Sequence, residues 1–319
     1  MQAIKFKQVI GIGCGIDVHK DVIVATIRKS DAVYETRSFE AFTSSLIALR
    51  DWCKLEKVSH VAMESTGIYW KPVYNILEEG FEIILVNARH VKNVPGHKTD
   101  KKDSIWLSKL LLSGLLKGSF IPPQNIRELR DLVRYKKKKV AQVASEKNRV
   151  IKILEDCNIK LSSVVSDVSG VSATKIIYAI IEGNTNIDQL MEHIHGKVKA
   201  DRNNIRKALE GRITPHHRFM LKIARETIIE NEKLIDKVEQ QIDESVKHCE
   251  VILTNLQTID GIGRDSAIAI VSEIGTDMSR FPNEHHLSSW SGLSPGNNES
   301  GGKKKAQERF METNIYKAP

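Results

Sequence analysis

Val9-Ile10-Gly11-Ile12-Gly13-Cys14-Gly15-Ile16-Asp17 reads as a strand, with glycines interleaved and an acid at its end. Val22 to Arg28 (VIVATIR) predicts a second strand and Ala32 to Phe39 a third, with Ser30-Asp31 as the turn between them. The three form an antiparallel meander. Phe42 to Leu55 follows as an amphipathic helix, because Leu46, Leu49 and Trp52 recur near a period of 3.6. His60 to Glu64 (HVAME) is a short buried strand, broken by Ser65-Thr66-Gly67. Ile68 to Glu79 predicts a helix, Phe81 to Asn87 (FEIILVN) a fifth strand, and Ile105 to Leu116 a further helix.

The order βββ-α-β-α-β-α is that of a ribonuclease H-like α/β fold. Two acids end its strands. Asp17 lies in Gly15-Ile16-Asp17-Val18-His19-Lys20, and Glu64 in Ala62-Met63-Glu64-Ser65-Thr66-Gly67. Two more, in His97-Lys98-Thr99-Asp100-Lys101-Lys102-Asp103, open the helix that follows. Their i, i+3 spacing places Asp100 and Asp103 on one helix face. Each acid has an ordinary explanation when taken alone: a strand returning to solvent, or a helix start that favours Asp for its dipole and cap. Together they suggest a site. Four carboxylates stay ionised side by side only with cations present. Two Mg²⁺ (or Mn²⁺) ions about 3.5–4 Å apart would neutralise them and activate both oxygens of a phosphodiester exchange. Lys98, Lys101 and Lys102 then suit phosphate, though a solvated helix face is their default reading. His19 and His97 are metal neighbours, phosphate donors or plain surface residues.

Composition narrows the classes. The chain has 319 residues, enough for two or three domains. Its 48 Lys and Arg against 40 acids give a net charge of +8, which favours a polyanionic partner such as nucleic acid. Aromatics are only 6%, which argues against a protein built on base-stacking platforms. Cys14, Cys53, Cys157 and Cys249 form no CxxC pair, so a structural zinc site is not expected and a reducing cytoplasm is. No signal-peptide region and no run of 18 apolar residues is visible.

The motifs GIDVHK, AMESTGIYW and HKTDKKDSIWLSKLL resemble those of the DEDD-type transposases of bacterial insertion sequences, the bridge-RNA-guided recombinases. Their N-terminal domain is similar to the RuvC junction resolvase. The resemblance implies Asp17, Glu64, Asp100 and Asp103 as the metal-binding set. It also implies DNA as donor and target, a structured guide RNA, a homo-oligomer (dimer or tetramer) and a nucleoid-associated place in the bacterial cytoplasm.

Pro122-Pro123 ends the first domain, taken as residues 1–120. A helical, coiled-coil region is expected over 121–250 and a transposase domain over 251–319. Ile126 to Ile159 reads as one long helix, with Leu129, Val133, Val140, Val143, Val150 and Leu154 on one side. Its run Lys136, Lys137, Lys138 and Lys139 spans more than a turn and forms a solvated face or a nucleic-acid contact. Short helices are expected over Val171 to Glu182, Ile187 to Ile194 and within Lys197 to Ile213. Thr214-Pro215 supplies an N-cap and an N1 proline for a helix reaching Cys249. There Leu221, Ile228, Ile235, Ile242 and Cys249 repeat every seven residues, and Asn231 interrupts the second seam position. A sustained heptad needs a partner helix, in this chain or another.

Two helices flank Gly261-Ile262-Gly263 and resemble a helix-hairpin-helix, whose second helix would aim its amides at phosphate. A simple helical turn is the alternative. After a short helix at His286 to Trp290, Gly292-Leu293-Ser294-Pro295 leads to Ser300-Gly301-Gly302-Lys303-Lys304. By composition Ser300 is a linker element, a phosphate ligand or a nucleophile. The resemblance implies the last, with Ser300 forming a phosphoserine link to a cut strand beside the carboxylate site of another protomer. Beyond Lys305 the chain departs from the family, lacking the Gly-Asn-x-x-Leu-Arg pattern expected there. The alternatives to a recombinase are a resolvase-like nuclease using only the carboxylates, or a non-catalytic nucleic-acid binder.

Overall fold

The computed structural model describes residues 7–65, 67–87, 103–194 and 200–293, with the backbone of two short strands at 299–300 and 303–304. The chain divides into two units, Met1–Ile121 and Pro122–Pro319. Apart from Ile121, the regions expected separately at 121–250 and 251–319 lie within the second.

The first unit is a five-stranded mixed sheet in the order β3-β2-β1-β4-β5. Its strands are β1 (Gly13–Val18), β2 (Val22–Arg28), β3 (Tyr34–Glu40), β4 (His60–Glu64) and β5 (Glu82–Val86). β1, β2 and β3 are the antiparallel meander, while β4 runs parallel to both β1 and β5. This arrangement is compatible with an RNase H-like fold. The first strand begins at Gly13 rather than Val9. The amides of Val9 and Ile10 instead donate to the Leu112 carbonyl, 2.7 and 3.1 Å away, which takes them out of the ladder.

One sheet face is covered by α1 (Thr43–Leu55) and α2 (Trp70–Leu77), shorter at both ends than the Ile68 to Glu79 expected. Leu46, Leu49, Trp52, Val73 and Leu77 pack there on Ile16, Met63 and Leu85. The other face is covered by α3 (Asp103–Leu112), whose Leu107, Leu110 and Leu111 are fully buried. Both faces are thus closed, as parallel β-α-β connections require.

The second unit is built on two long helices, α4 (Gln124–Asp156) and α9 (Pro215–Val246). Between them lie α5 (Leu161–Val164), α6 (Val171–Ile181), α7 (Ile187–Glu192) and α8 (Arg202–Ala208). Thr214 caps α9 as expected: its hydroxyl accepts from the His217 amide, and His217 Nδ1 accepts from the Thr214 amide at 3.1 Å. The partner of the heptad helix is in the same chain. Ile126 and Leu129 meet Ile242 and Val246, while Val150 and Leu154 share a core with Leu221 and Ile228, so the helices run antiparallel. Val140, expected on the buried side, is 48% exposed, because the seam turns with the helix. Asn231 is buried and accepts from Lys139 Nζ at 3.1 Å, giving the polar seam position a specific partner.

Two further helices, α10 (Glu250–Gln257) and α11 (Arg264–Ile274), fold back on this pair through Leu253, Ala267, Ile268 and Val271. The bend between them needs Gly261, whose φ is +87°. Arg130 donates to the Ser272 and Glu273 carbonyls at 3.0 and 2.7 Å, satisfying the end of α11. Burial lowers the Arg130 pKa, and Glu273 opposes that fall. A last helix, α12 (Glu284–Trp290), starts at the Asn283 cap. Glu299–Ser300 (β6) then pairs antiparallel with Lys303–Lys304 (β7), with Ser300 opposite Lys303. No described helix is long and apolar enough to cross a membrane.

Candidate active site

Two of the candidate acids, Asp17 and Glu64, lie at the C-terminal ends of β1 and β4. Their parallel register pairs Gly15 with Ala62 and Ile16 with Met63. The ladder ends there, and Asp17 and Glu64 are the next residues of the two strands. Side chains alternate in strands, so Asp17 shares the face of Gly13 and Gly15, which is the face covered by α3. Glu64 is opposite Val86 and ends its strand partly buried.

Glycine decides how α3 approaches. A Cβ built on Gly15 would lie 2.3 Å from the Ser104 carbonyl oxygen and 2.3 Å from the Ser108 nitrogen. These are backbone atoms and cannot step aside. A Cβ on Gly13 would meet the side-chain ends of Leu111 and Leu112, at 2.8 and 2.9 Å. Moving from Gly13 to Gly15 therefore moves back along α3 from Leu111 to Ser104. Two strand residues advance about 6.6 Å, equivalent to about four helix residues. The next residue on that face, Asp17, therefore lies toward the N-terminal end of α3, whose first helical residue is Asp103.

Asp17 is 9% exposed, low for an acid at a strand end. Its Oδ2 is 3.0 Å from His19 Nε2. His19 sits in the tight connection to β2, its amide donating to the Val22 carbonyl at 3.0 Å. The donor set at this end of the sheet is carboxylate oxygen, the chemistry that suits Mg²⁺ or Mn²⁺. Cys14 is excluded from it, since it points to the opposite face. There the Cys53 thiol, hydrogen-bonded to it, and complete burial raise its pKa well above the ordinary thiol value. Among the described residues no three of His, Cys, Asp and Glu already stand as a metal-holding group. Asp100, expected beside Asp103, lies outside the described residues, as do Lys98, Lys101, Lys102 and His97.

Sequence reasoning missed the polar layer behind the acids. Thr26 Oγ1 and Ser104 Oγ are hydrogen-bonded at 2.8 Å, and Arg28 Nε donates to Ser108 Oγ at 3.0 Å. Burial lowers the Arg28 pKa, with Asp31 and Tyr34 opposing it. The available signal was Ser104 and Ser108, one turn apart in an apolar helix, facing Gly13-x-Gly15 in an apolar strand.

The other expected residues lie in the second unit. Lys136 is held by Glu239 at 2.8 Å and Asp265 at 3.1 Å. Lys139 is held by Asn231 and stands over the Tyr135 ring. Both therefore have partners within the second unit, whereas Lys137 and Lys138 are exposed. Gly263 begins α11 with φ −80°, and a Cβ there would meet nothing within 4 Å. The backbone thus explains Gly261 but not Gly263. Ser300 and Lys303 are paired strand residues, next to Lys304.

Comparison with known proteins places these two halves. A family model for transposases of the DEDD type, from the IS110 group, matches residues 14–159. It spans the strand-end acids, α3 and all of α4. A second, described as a transposase of the IS116/IS110/IS902 family, matches residues 253–313, including Gly261, Gly263 and Ser300. No curated protein matches the chain. With both matches in the expected order along one chain, the protein belongs to the DEDD-type insertion-sequence transposases.

Proposed function

We propose that the protein cuts and rejoins DNA using two centres, a carboxylate site at Asp17, Glu64, Asp100 and Asp103 and a nucleophilic Ser300. One observation carries the first: glycine-floored packing brings the start of α3 to the same sheet end as Asp17 and Glu64. The carboxylates would hold Mg²⁺ or Mn²⁺, which supplies charge neutralisation for a phosphodiester exchange. Asp17, low in exposure and hydrogen-bonded to His19, is the fixed member of the set.

Ser300 Oγ would attack a backbone phosphorus. One P–O bond forms to serine, one breaks to the deoxyribose oxygen, and the proton lost by serine is passed on to that departing oxygen, which leaves as a hydroxyl. The released sugar hydroxyl of a second strand then attacks the phosphoserine and regenerates the serine. No bond is lost to water, so rejoining needs no separate energy source. The pairing of Ser300 with Lys303, and the neighbouring Lys304, supports this role by placing cationic residue types beside the serine in sequence and register.

A structured RNA guides target choice in this reading, and the working form is a dimer or tetramer in which the two centres come from different protomers. Lys137, Lys138, Gly261 and Gly263 are offered as nucleic-acid contacts. Lys98, Lys101 and Lys102 would flank the cation site.

The test is plasmid recombination with the RNA encoded beside the gene, together with a denaturing gel for the protein–DNA adduct. Parent protein should recombine the plasmids and form the adduct. Ser300→Ala should lose both, and Asp17→Asn should do the same while remaining folded. Full recombination by Ser300→Ala would remove the serine from the mechanism and leave a carboxylate nuclease.

A further inference from the structure

A chain of hydroxyls runs beneath α3, buried at Thr26 and Ser104. Thr26 lies opposite Gly15 in the β1–β2 ladder, so its side chain shares the face on which α3 packs. Its Oγ1 is 2.8 Å from Ser104 Oγ and 2.9 Å from Thr36 Oγ1. Thr26 is 0% exposed and Ser104 1%. One turn along α3, Ser108 Oγ accepts from Arg28 Nε and donates to the Ile105 carbonyl at 2.8 Å. Arg28 is itself fixed by the Asp31 carbonyl, 2.8 Å from Nη1. Lys109 on the same helix pairs with Asp31 at 3.2 Å.

Apolar contacts are non-directional and tolerate small shifts, whereas a hydrogen bond weakens steeply as its geometry departs from the optimum. Where α3 crosses Gly13 and Gly15, β1 presents no side chain to key the helix into one register. The hydroxyl pair supplies that key. Ser104 directly follows Asp103, so whatever fixes Ser104 fixes the carboxylate beside it. Asp17 is placed by β1, the same strand whose Gly15 pairs with Thr26.

We propose that Thr26 and Ser104 are positioning residues for the cation site, their hydrogen bond setting how far Asp103 stands from Asp17. This rests on the carboxylate reading above. The two residues touch no substrate; they act through the register of α3 on β1. Thr36, on the edge strand β3, extends the same lock from β2 to β3.

The test compares Thr26→Val, which keeps the shape and loses the hydroxyl, with Thr26→Ser, which keeps the hydroxyl. Two readouts are needed on the full chain without DNA: amide hydrogen exchange across 103–108 and Mn²⁺ affinity by calorimetry. Thr26→Val should speed exchange in the first turn of α3 and weaken Mn²⁺ binding, each by about tenfold, the scale of one buried hydrogen bond. Thr26→Ser should stay within about twofold of the parent in both. A merely stabilising hydroxyl would lower the melting temperature of Thr26→Val and leave Mn²⁺ affinity of the folded protein unchanged, and that result overturns the proposal. If the parent binds no Mn²⁺, the carboxylate reading fails by itself. The exchange measurement still decides the positioning role, because equal exchange in the two variants refutes it.

Discussion

The helix α3 on its sheet and the pair α4–α9 solve the same packing problem in opposite ways. Under α3 the side chains are missing where it crosses β1: Gly15 leaves room for the Ser104 and Ser108 backbone, and directed hydroxyl bonds fix the position. Between α4 and α9 the side chains do the work, with Ile126, Leu129, Val150 and Leu154 against Leu221, Ile228, Ile242 and Val246. An apolar seam spreads its stabilisation over many contacts and absorbs a lost methylene locally. A backbone-to-backbone approach has no such slack. The close contact is found at the strand that carries Asp17, where the proposed cation site would be sensitive to small displacements, and the forgiving one along the two long helices.

The contrast can be broken in order of effect. Gly15→Ala is expected to be the most damaging, since its Cβ would lie 2.3 Å from two backbone atoms. Loss of the cooperative melting of the first unit, with the second still folded by circular dichroism, is the expected result. Leu154→Ala in the long-helix core, where the residue is 2% exposed, should cost about 3 kcal/mol in urea unfolding and leave a folded protein. Asn231→Ala should cost about 1 kcal/mol by the same measurement, because Lys139 loses its buried acceptor. The smallest effect concerns Lys136. Burial lowers its pKa, but hydrogen bonds to Glu239 and Asp265 outweigh this and raise it above 10.5. A raised folded-state value stabilises fully below 10.5 and is lost as pH rises through the folded value. The melting difference between parent and Lys136→Met should therefore be largest at neutral pH and vanish in strong alkali.

Much of the first unit was legible because period-2 strands and period-3.6 helices are local signals. His60–Glu64 and Val22–Arg28 fall where their residues place them. The ends moved where tertiary contacts intervened, as at Val9, whose amide bonds to α3 instead of a neighbouring strand. In the second unit the heptad announced a partner, but which helix would fill it depended on the antiparallel fit of α4, a long-range fact. The acids were visible as residue types; what sets the approach of α3 to β1 was not. That depends on Gly15 meeting a helix some ninety positions away, and on Thr26 and Ser104, 78 positions apart, which carry no local signal. Lys136 and Lys139 looked like a solvated or nucleic-acid face, yet their partners Glu239, Asp265 and Asn231 come from distant helices.

Calorimetric titration of Mn²⁺ into the folded chain, parent against Asp17→Asn, bears most directly on the carboxylate site. Parent protein should bind the ion, and Asp17→Asn should bind it at least about tenfold more weakly with an unchanged melting profile. Equal affinity in the two proteins, or no binding by the parent, would contradict a cation site at the ends of β1 and β4.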